Sequence, residues 1–145
     1  MLKQIYEVEF LDCCYGYRPG RTQHQALSKL GRTIQRKKVN YVVEVDIKSF
    51  FHHLDHEWLM KFFGVRIGDK RILRLIQRFL KSGVMEDGLE HASDQGTPQG
   101  GSLSALLSNV YLHYALDLWF ERRFKAGCQG EAYLFRYADG TPVQA

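Results

Sequence analysis

The sequence predicts an α+β fold, a sheet covered by helices on one face. Strand-like runs rich in β-branched and aromatic residues, Tyr41 to Ile47 and Ala132 to Tyr137, are separated by long segments of helical apolar spacing. Asp87-Gly88 adds a hairpin signal between them. At 145 residues, 45% hydrophobic and 25% charged, the chain suits one domain with a real core and leaves little room for long disorder.

The elements follow in order. Ile5 to Leu11 reads as weakly helical or irregular. Tyr15-Gly16-Tyr17-Arg18-Pro19-Gly20-Arg21 is a loop, broken by its glycines and proline. Thr22 then caps a helix to about Lys37, with Ala26, Leu27, Leu30 and Ile34 on one side. Tyr41 to Ile47 is the best strand and carries an acid, Asp46, near its end. Asp55 caps a helix bearing Trp58, Leu59, Phe62 and Phe63. Asp69 caps another to about Lys81, with Ile72, Leu75, Ile76 and Phe79 at helical spacing. Met85 to Ser93 holds the hairpin, and Gln95 to Ser102 is a second glycine-rich loop. A long helix, about Ser104 to Phe124, offers Leu106, Leu107, Val110, Leu118 and Trp119 to the core. After a turn at Gly127 to Gly130, the closing strand delivers Asp139 to Gly140.

The net charge of +4 permits a nucleic-acid partner. Cys13, Cys14 and Cys128 form no CxxC pair and read as reduced thiols. No stretch is apolar enough to span a bilayer and no signal-peptide core is present, so the expectation is no membrane contact and a cytoplasmic location.

Asp46 and Asp139 each end a predicted strand. Either alone is an ordinary strand cap. As a pair on neighbouring strands they could hold Mg²⁺, which takes one or two carboxylates plus phosphate oxygens and water. Paired metals held by such acids activate a 3′-hydroxyl and stabilise a leaving pyrophosphate. Gly96-Thr97-Pro98-Gln99-Gly100-Gly101-Ser102 precedes a helix and allows close backbone approach to an anion, but it is neither a P-loop nor a dinucleotide fingerprint. Arg18 and Arg21 bracket Pro19-Gly20 and suit a polyphosphate, although a solvated basic loop reads as well. Arg66, Lys70, Arg71, Arg74 and Arg78 read as the polar face of a helix, either a solvated face or a backbone-binding stripe. His52 and His56 have i, i+4 spacing without an HExxH or cysteine partner, which favours ordinary histidines over zinc.

Four segments occur in a telling order: Tyr15 to Arg21, Val45-Asp46-Ile47-Lys48-Ser49-Phe50-Phe51, Gly96 to Gly101, and Arg136-Tyr137-Ala138-Asp139. Together they resemble the reverse transcriptase domain of group II intron-encoded proteins of the maturase type. The resemblance implies a partial right-hand polymerase palm with part of the fingers. By it, Asp46 matches the first catalytic aspartate, and Asp139 the first aspartate of a Tyr-Ala-Asp-Asp motif. The Ile47 backbone carbonyl matches a further metal ligand. Phe51 matches the bulky residue under the nucleotide sugar that excludes a 2′-hydroxyl. Gln99 matches the glutamine beside the incoming nucleotide. Arg18 and Arg21 fall in a fingers motif near nucleotide and template. The implied cofactor is Mg²⁺, as a pair of ions. The implied partners are an RNA template, a DNA primer, a dNTP and intron RNA.

Departures are equally specific. The family has a second aspartate where Gly140 stands, an acid where His52 stands and a proline where Ala105 stands. The expectation is a truncated fragment: residues 1–139 as a partial reverse transcriptase domain and 140–145 as an atypical tail. Such a tail, polar and containing Pro142, should leave the Asp139 strand without its return strand. Little or no polymerase activity is expected. The alternative is a non-catalytic RNA-binding remnant of an intron maturase.

Overall fold

The structure, a computed structural model, describes residues 2–81, 84–86, 89–91, 102–138 and 140–144. In chain order the elements are α1 (Leu2–Glu7), α2 (Gln23–Arg36), β1 (Val42–Asp46), α3 (His56–Arg66), α4 (Lys70–Lys81), β2 (Val84–Glu86), β3 (Leu89–His91), α5 (Ser102–Leu112), α6 (Lys125–Gly127), β4 (Tyr133–Leu134) and β5 (Gly140–Gln144). A 3₁₀ turn covers Phe50–His52, and π-helical stretches cover His113–Asp117 and Phe120–Phe124. Where length alone suits one domain, the chain forms two compact units, residues 1–47 with 112–145, and residues 48–111.

The first unit carries an antiparallel sheet of order β1-β5-β4. This corrects the expectation that the strand leading to Asp139 lacks a return strand. Gly140–Gln144 is the return strand and lies at the centre of the sheet. Pro142 lacks an N–H and is disfavoured inside a sheet. The register accommodates it: β4 pairs only with Val143 and Gln144, so Pro142 faces a partner on the β1 side alone, Glu44. β4 is shorter than the predicted closing strand because the chain changes partner at Arg136. There it makes a parallel bridge to Cys14: Arg136 N–H donates to the Cys13 carbonyl at 2.7 Å, and Tyr15 N–H donates to the Arg136 carbonyl at 2.8 Å.

α2 begins where the sequence predicts. Gln25 N–H donates to Thr22 Oγ1 and Thr22 N–H donates to Gln25 Oε1, a full capping box that satisfies two of the otherwise orphaned N–H groups. Its apolar stripe is only half used. Ala26 is buried with Tyr15 and Phe135, and Leu30 packs against them, while Leu27 and Ile34 face solvent. A second cluster joins Phe120, Ala132 and Leu134, with Cys13, Phe124 and Cys128 at its edge.

In the second unit Asp55 caps α3 by accepting from Trp58 N–H at 3.0 Å. Leu54, Leu59, Phe63, Ile76 and Leu80 are buried, and Phe62 and Phe50 each meet the Tyr111 ring edge-on. Trp58 and Leu75, assigned to the core by spacing, are exposed. β2 and β3 form the hairpin, with Glu86 opposite Leu89. His52 lies in the 3₁₀ turn and His56 begins α3, so their sequence spacing does not put them on one helix.

Candidate active site

Asp46 is the last residue of β1 and pairs with Gly140 of β5. All of β1 is exposed, and the Asp46 carboxylate ends it. Ile47 follows and is half-buried. Asp139 precedes Gly140 in the chain; Asp139 itself, Gln99 and the loop 96–101 lie outside the described residues. The Asp46 carboxylate and the Ile47 carbonyl are hard oxygen donors, the class that Mg²⁺ prefers. Among the described residues no cluster of three or more His, Cys, Asp or Glu gathers that could hold a metal.

A buried network lies behind the turn that leads to Asp139. Arg136 and Asp117 are both 0% exposed and form a bidentate pair, Nε to Oδ1 at 2.9 Å and Nη2 to Oδ2 at 2.8 Å. Arg136 Nη2 also lies 3.0 Å from Cys14 Sγ, and Nη1 donates to the Ala138 carbonyl at 2.9 Å. Burial works against the Arg136 charge, but the hydrogen-bonded Asp117 carboxylate outweighs it, and the guanidinium pKa is raised. Burial pushes the Cys13 thiol up to about 12 and the Cys14 thiol up to about 11, so both stay protonated. Ala138 has φ +58°, in the left-handed region that a residue with a Cβ seldom occupies. Gly16 packs directly on this turn: a Cβ there would meet Ala138 N at 2.2 Å and Tyr137 C at 3.1 Å.

The two loop arginines part company. Arg18 is 6% exposed and is spent inside the unit. It donates to Glu7 Oε1, to the carbonyls of Glu7, Leu11 and Cys14, and stacks over Phe10. Arg21 is held by Asp12 through Nη2 to Oδ1 at 2.6 Å and lies over the Tyr15 ring. It lines a cavity of about 630 Å³ with Tyr15, Gly20, His24, Lys29 and Arg32. Phe51, in the second unit, is half-buried with its ring edge-on to Phe50. Ser49, just before this pair, has φ +53°.

The family model described as "Reverse transcriptase (RNA-dependent DNA polymerase)" matches residues 1–143. The chain belongs to this reverse transcriptase family. It is 43% identical over 115 residues to the group II intron-encoded protein LtrA of Lactococcus lactis subsp. cremoris, a match covering 78% of this chain and 18% of LtrA. It is 35% identical over 133 residues to protein YkfC of Escherichia coli (strain K12), covering 87% of this chain and 34% of YkfC. The chain thus spans about a third or less of these curated relatives. A solved apo telomerase from Candida tropicalis, truncated from its C-terminal domain, matches 99% of this chain and 32% of that chain with TM-score 0.63 at 13% identity, a likeness of fold alone. The reverse transcriptase fold here is a partial right hand.

Gly16, Asp117 and Arg136 shape the turn that ends at Ala138, and none of the three stands out singly in the sequence. A signal for the pair exists. Asp117 interrupts the apolar and aromatic run Tyr114 to Phe120 and Arg136 an aromatic strand, and opposite charges inside two core-forming segments point to a buried ion pair.

Proposed function

We propose that the chain is the nucleotidyl-transfer core of an RNA-directed DNA polymerase of the group II intron-encoded type. In this reading Asp46, the Ile47 carbonyl and Asp139 hold Mg²⁺. The observation that carries it is the β1–β5 register, which sets Asp46 opposite Gly140, the residue that follows Asp139. The substrates are a DNA primer on an RNA template and a deoxynucleoside triphosphate. The primer 3′-oxygen bonds to the α-phosphorus, the bond to pyrophosphate breaks, and the hydroxyl proton leaves to solvent. When bound, Mg²⁺ supplies a lowered 3′-hydroxyl pKa and charge stabilisation of the leaving pyrophosphate.

The chain's own groups orient the reactants. The resemblance assigns Phe51 the rejection of a 2′-hydroxyl by collision and Gln99 contact with the incoming nucleotide. Arg21, with Lys29 and Arg32 on the same cavity, attracts phosphate. Arg18, whose donors are engaged internally, holds the loop rather than the ligand. Gly140 supplies no carboxylate where the family has one, so activity is weak. No helix of the described residues is long and apolar enough to cross a membrane, and a cytoplasmic site of action is part of the proposal.

The basic cavity favours a second reading, RNA binding without catalysis. Primer extension on an RNA template with Mg²⁺, paired with RNA gel shifts, separates the two. The expected outcome is trace extension by the chain, none by Asp46→Asn, and a clear gain in Gly140→Asp. Robust extension by the unaltered chain overturns the weak-activity claim. Extension indifferent to Asp46→Asn overturns the metal site. Salt-sensitive RNA retention without extension by any variant favours the second reading.

A further inference from the structure

We infer that Arg136, locked in place by Asp117, is a positioning residue that sets the backbone leading into Asp139 by holding the Ala138 carbonyl. The inference rests on the proposed role of Asp139 as a metal-holding acid.

An arginine at this place is costly. Removing its charge from water carries a penalty of several kcal/mol, and apolar residues of similar volume often serve stability as well as a buried ion pair. Stability alone therefore does not explain a guanidinium here. Its geometry does. Nε and Nη2 face Asp117, which fixes the plane of the fork, and Nη1 is then left aimed at the Ala138 carbonyl, 2.9 Å away. Lysine, a point charge on a flexible stem, could meet Asp117 but could not span both partners at once.

The held residue is the one that needs holding. Ala138 sits at φ +58°, a left-handed conformation that is unfavourable for a residue with a Cβ. It is constrained from another direction by Gly16, whose missing side chain lets its backbone lie against Ala138 N and Tyr137 C. Main-chain hydrogen bonds from Arg136 to Cys13 and from Tyr15 to Arg136 fix the preceding residue as well. The left-handed step at Ala138 is thus clamped on both the side-chain and the main-chain side, immediately before Asp139. The strain is offset by surrounding contacts, a pattern found where a functional group must be aimed.

Nuclear magnetic resonance of the isotope-labelled chain tests this, with and without Mn²⁺ as the probe ion. In the unaltered chain the Arg136 Nη groups should give separate, slowly exchanging signals, because each has its own acceptor. In Arg136→Lys the Ala138 Cα and Cβ shifts should leave left-handed values while α2 amides keep theirs. Mn²⁺ affinity should fall about 10-fold, the lower end of the range for loss of an outer-shell partner. A single averaged Nη signal in the unaltered chain overturns the inference, and so do unchanged Ala138 shifts in Arg136→Lys. Should Arg136→Lys not fold, the guanidinium signals of the unaltered chain still decide. Failure of Mn²⁺ to broaden Asp46 in the unaltered chain strikes the metal reading instead, and leaves the guanidinium and Ala138 signals to judge Arg136.

Discussion

The exposed end of β1 and the buried strap at residues 136–138 serve one sheet under opposite physical regimes. Asp46 ends a strand whose every residue is exposed, and its partner across the ladder is a glycine. Arg136 is fully enclosed, and its side chain meets Asp117, Cys14 and the Ala138 carbonyl. Under the proposed function, an acid that accepts a cation and a substrate needs open coordination sites. The turn leading to a second acid needs a fixed backbone. Structural rigidity is concentrated on the strap, and chemical availability on β1.

The largest effect should come from cutting the buried pair. Arg136→Leu leaves Asp117 as an uncompensated charge, and the expected loss is about 3–5 kcal/mol in urea unfolding. Arg136→Leu with Asp117→Leu should recover most of that loss, because a buried pair replaced as a unit is often neutral. By contrast Asp46→Asn, at an exposed position, should stay within about 0.5 kcal/mol of the parent. Comparable losses at the two acids, Asp117 and Asp46, would erase the distinction between the regions.

A smaller effect is expected at Gly16. Gly16→Ala puts a methyl within 2.2 Å of a backbone nitrogen, which cannot swing aside as a side-chain tip would. Overpacking of this kind costs typically about 1–3 kcal/mol. The disturbance should be local, with faster amide exchange at Tyr15 and Arg136, whose main-chain bonds cross this contact. Slower or unchanged exchange there, with an unaltered melting temperature, would show that the strap does not need the close approach.

The two regions also differ in how much of them the sequence discloses. The strand ending at Asp46 is legible because its valines favour extended backbone, and the Thr22 and Asp55 caps are legible because their partners are near in sequence. Gly16 against Ala138 is not legible, since the contact joins residues more than a hundred apart and leaves no periodic trace. Residues 140–145 read as a tail because they are polar and contain Pro142; what the sequence does not disclose is that β4 stops short of the proline. Leu27, Ile34 and Leu75 have core-like spacing yet face solvent, as helical periodicity tells which side of a helix is apolar and not whether anything covers it. Asp139 and Gln99, the remaining residues of the proposed site, rest on motif likeness.

The smallest effect belongs to the ion pair at the loop surface, Asp12 with Arg21. The Arg21 guanidinium, by hydrogen bond and by charge, holds the Asp12 carboxyl below its usual range. A carboxyl whose pKa is lowered by folding contributes stability above its unfolded value, about 3.9, and loses it as pH falls through the lower folded value. Asp12 is 81% exposed, so solvent screening limits the contribution to about 0–1 kcal/mol. Asp12→Asn should therefore melt slightly below the parent at pH 7, and the two curves should converge as the pH drops below about 4. Added salt should narrow the gap at pH 7, since an exposed pair is screened. A gap as large as that of Arg136→Leu, or one that survives at low pH, would mean that the loop pair behaves like the buried one and that exposure is not what separates the two.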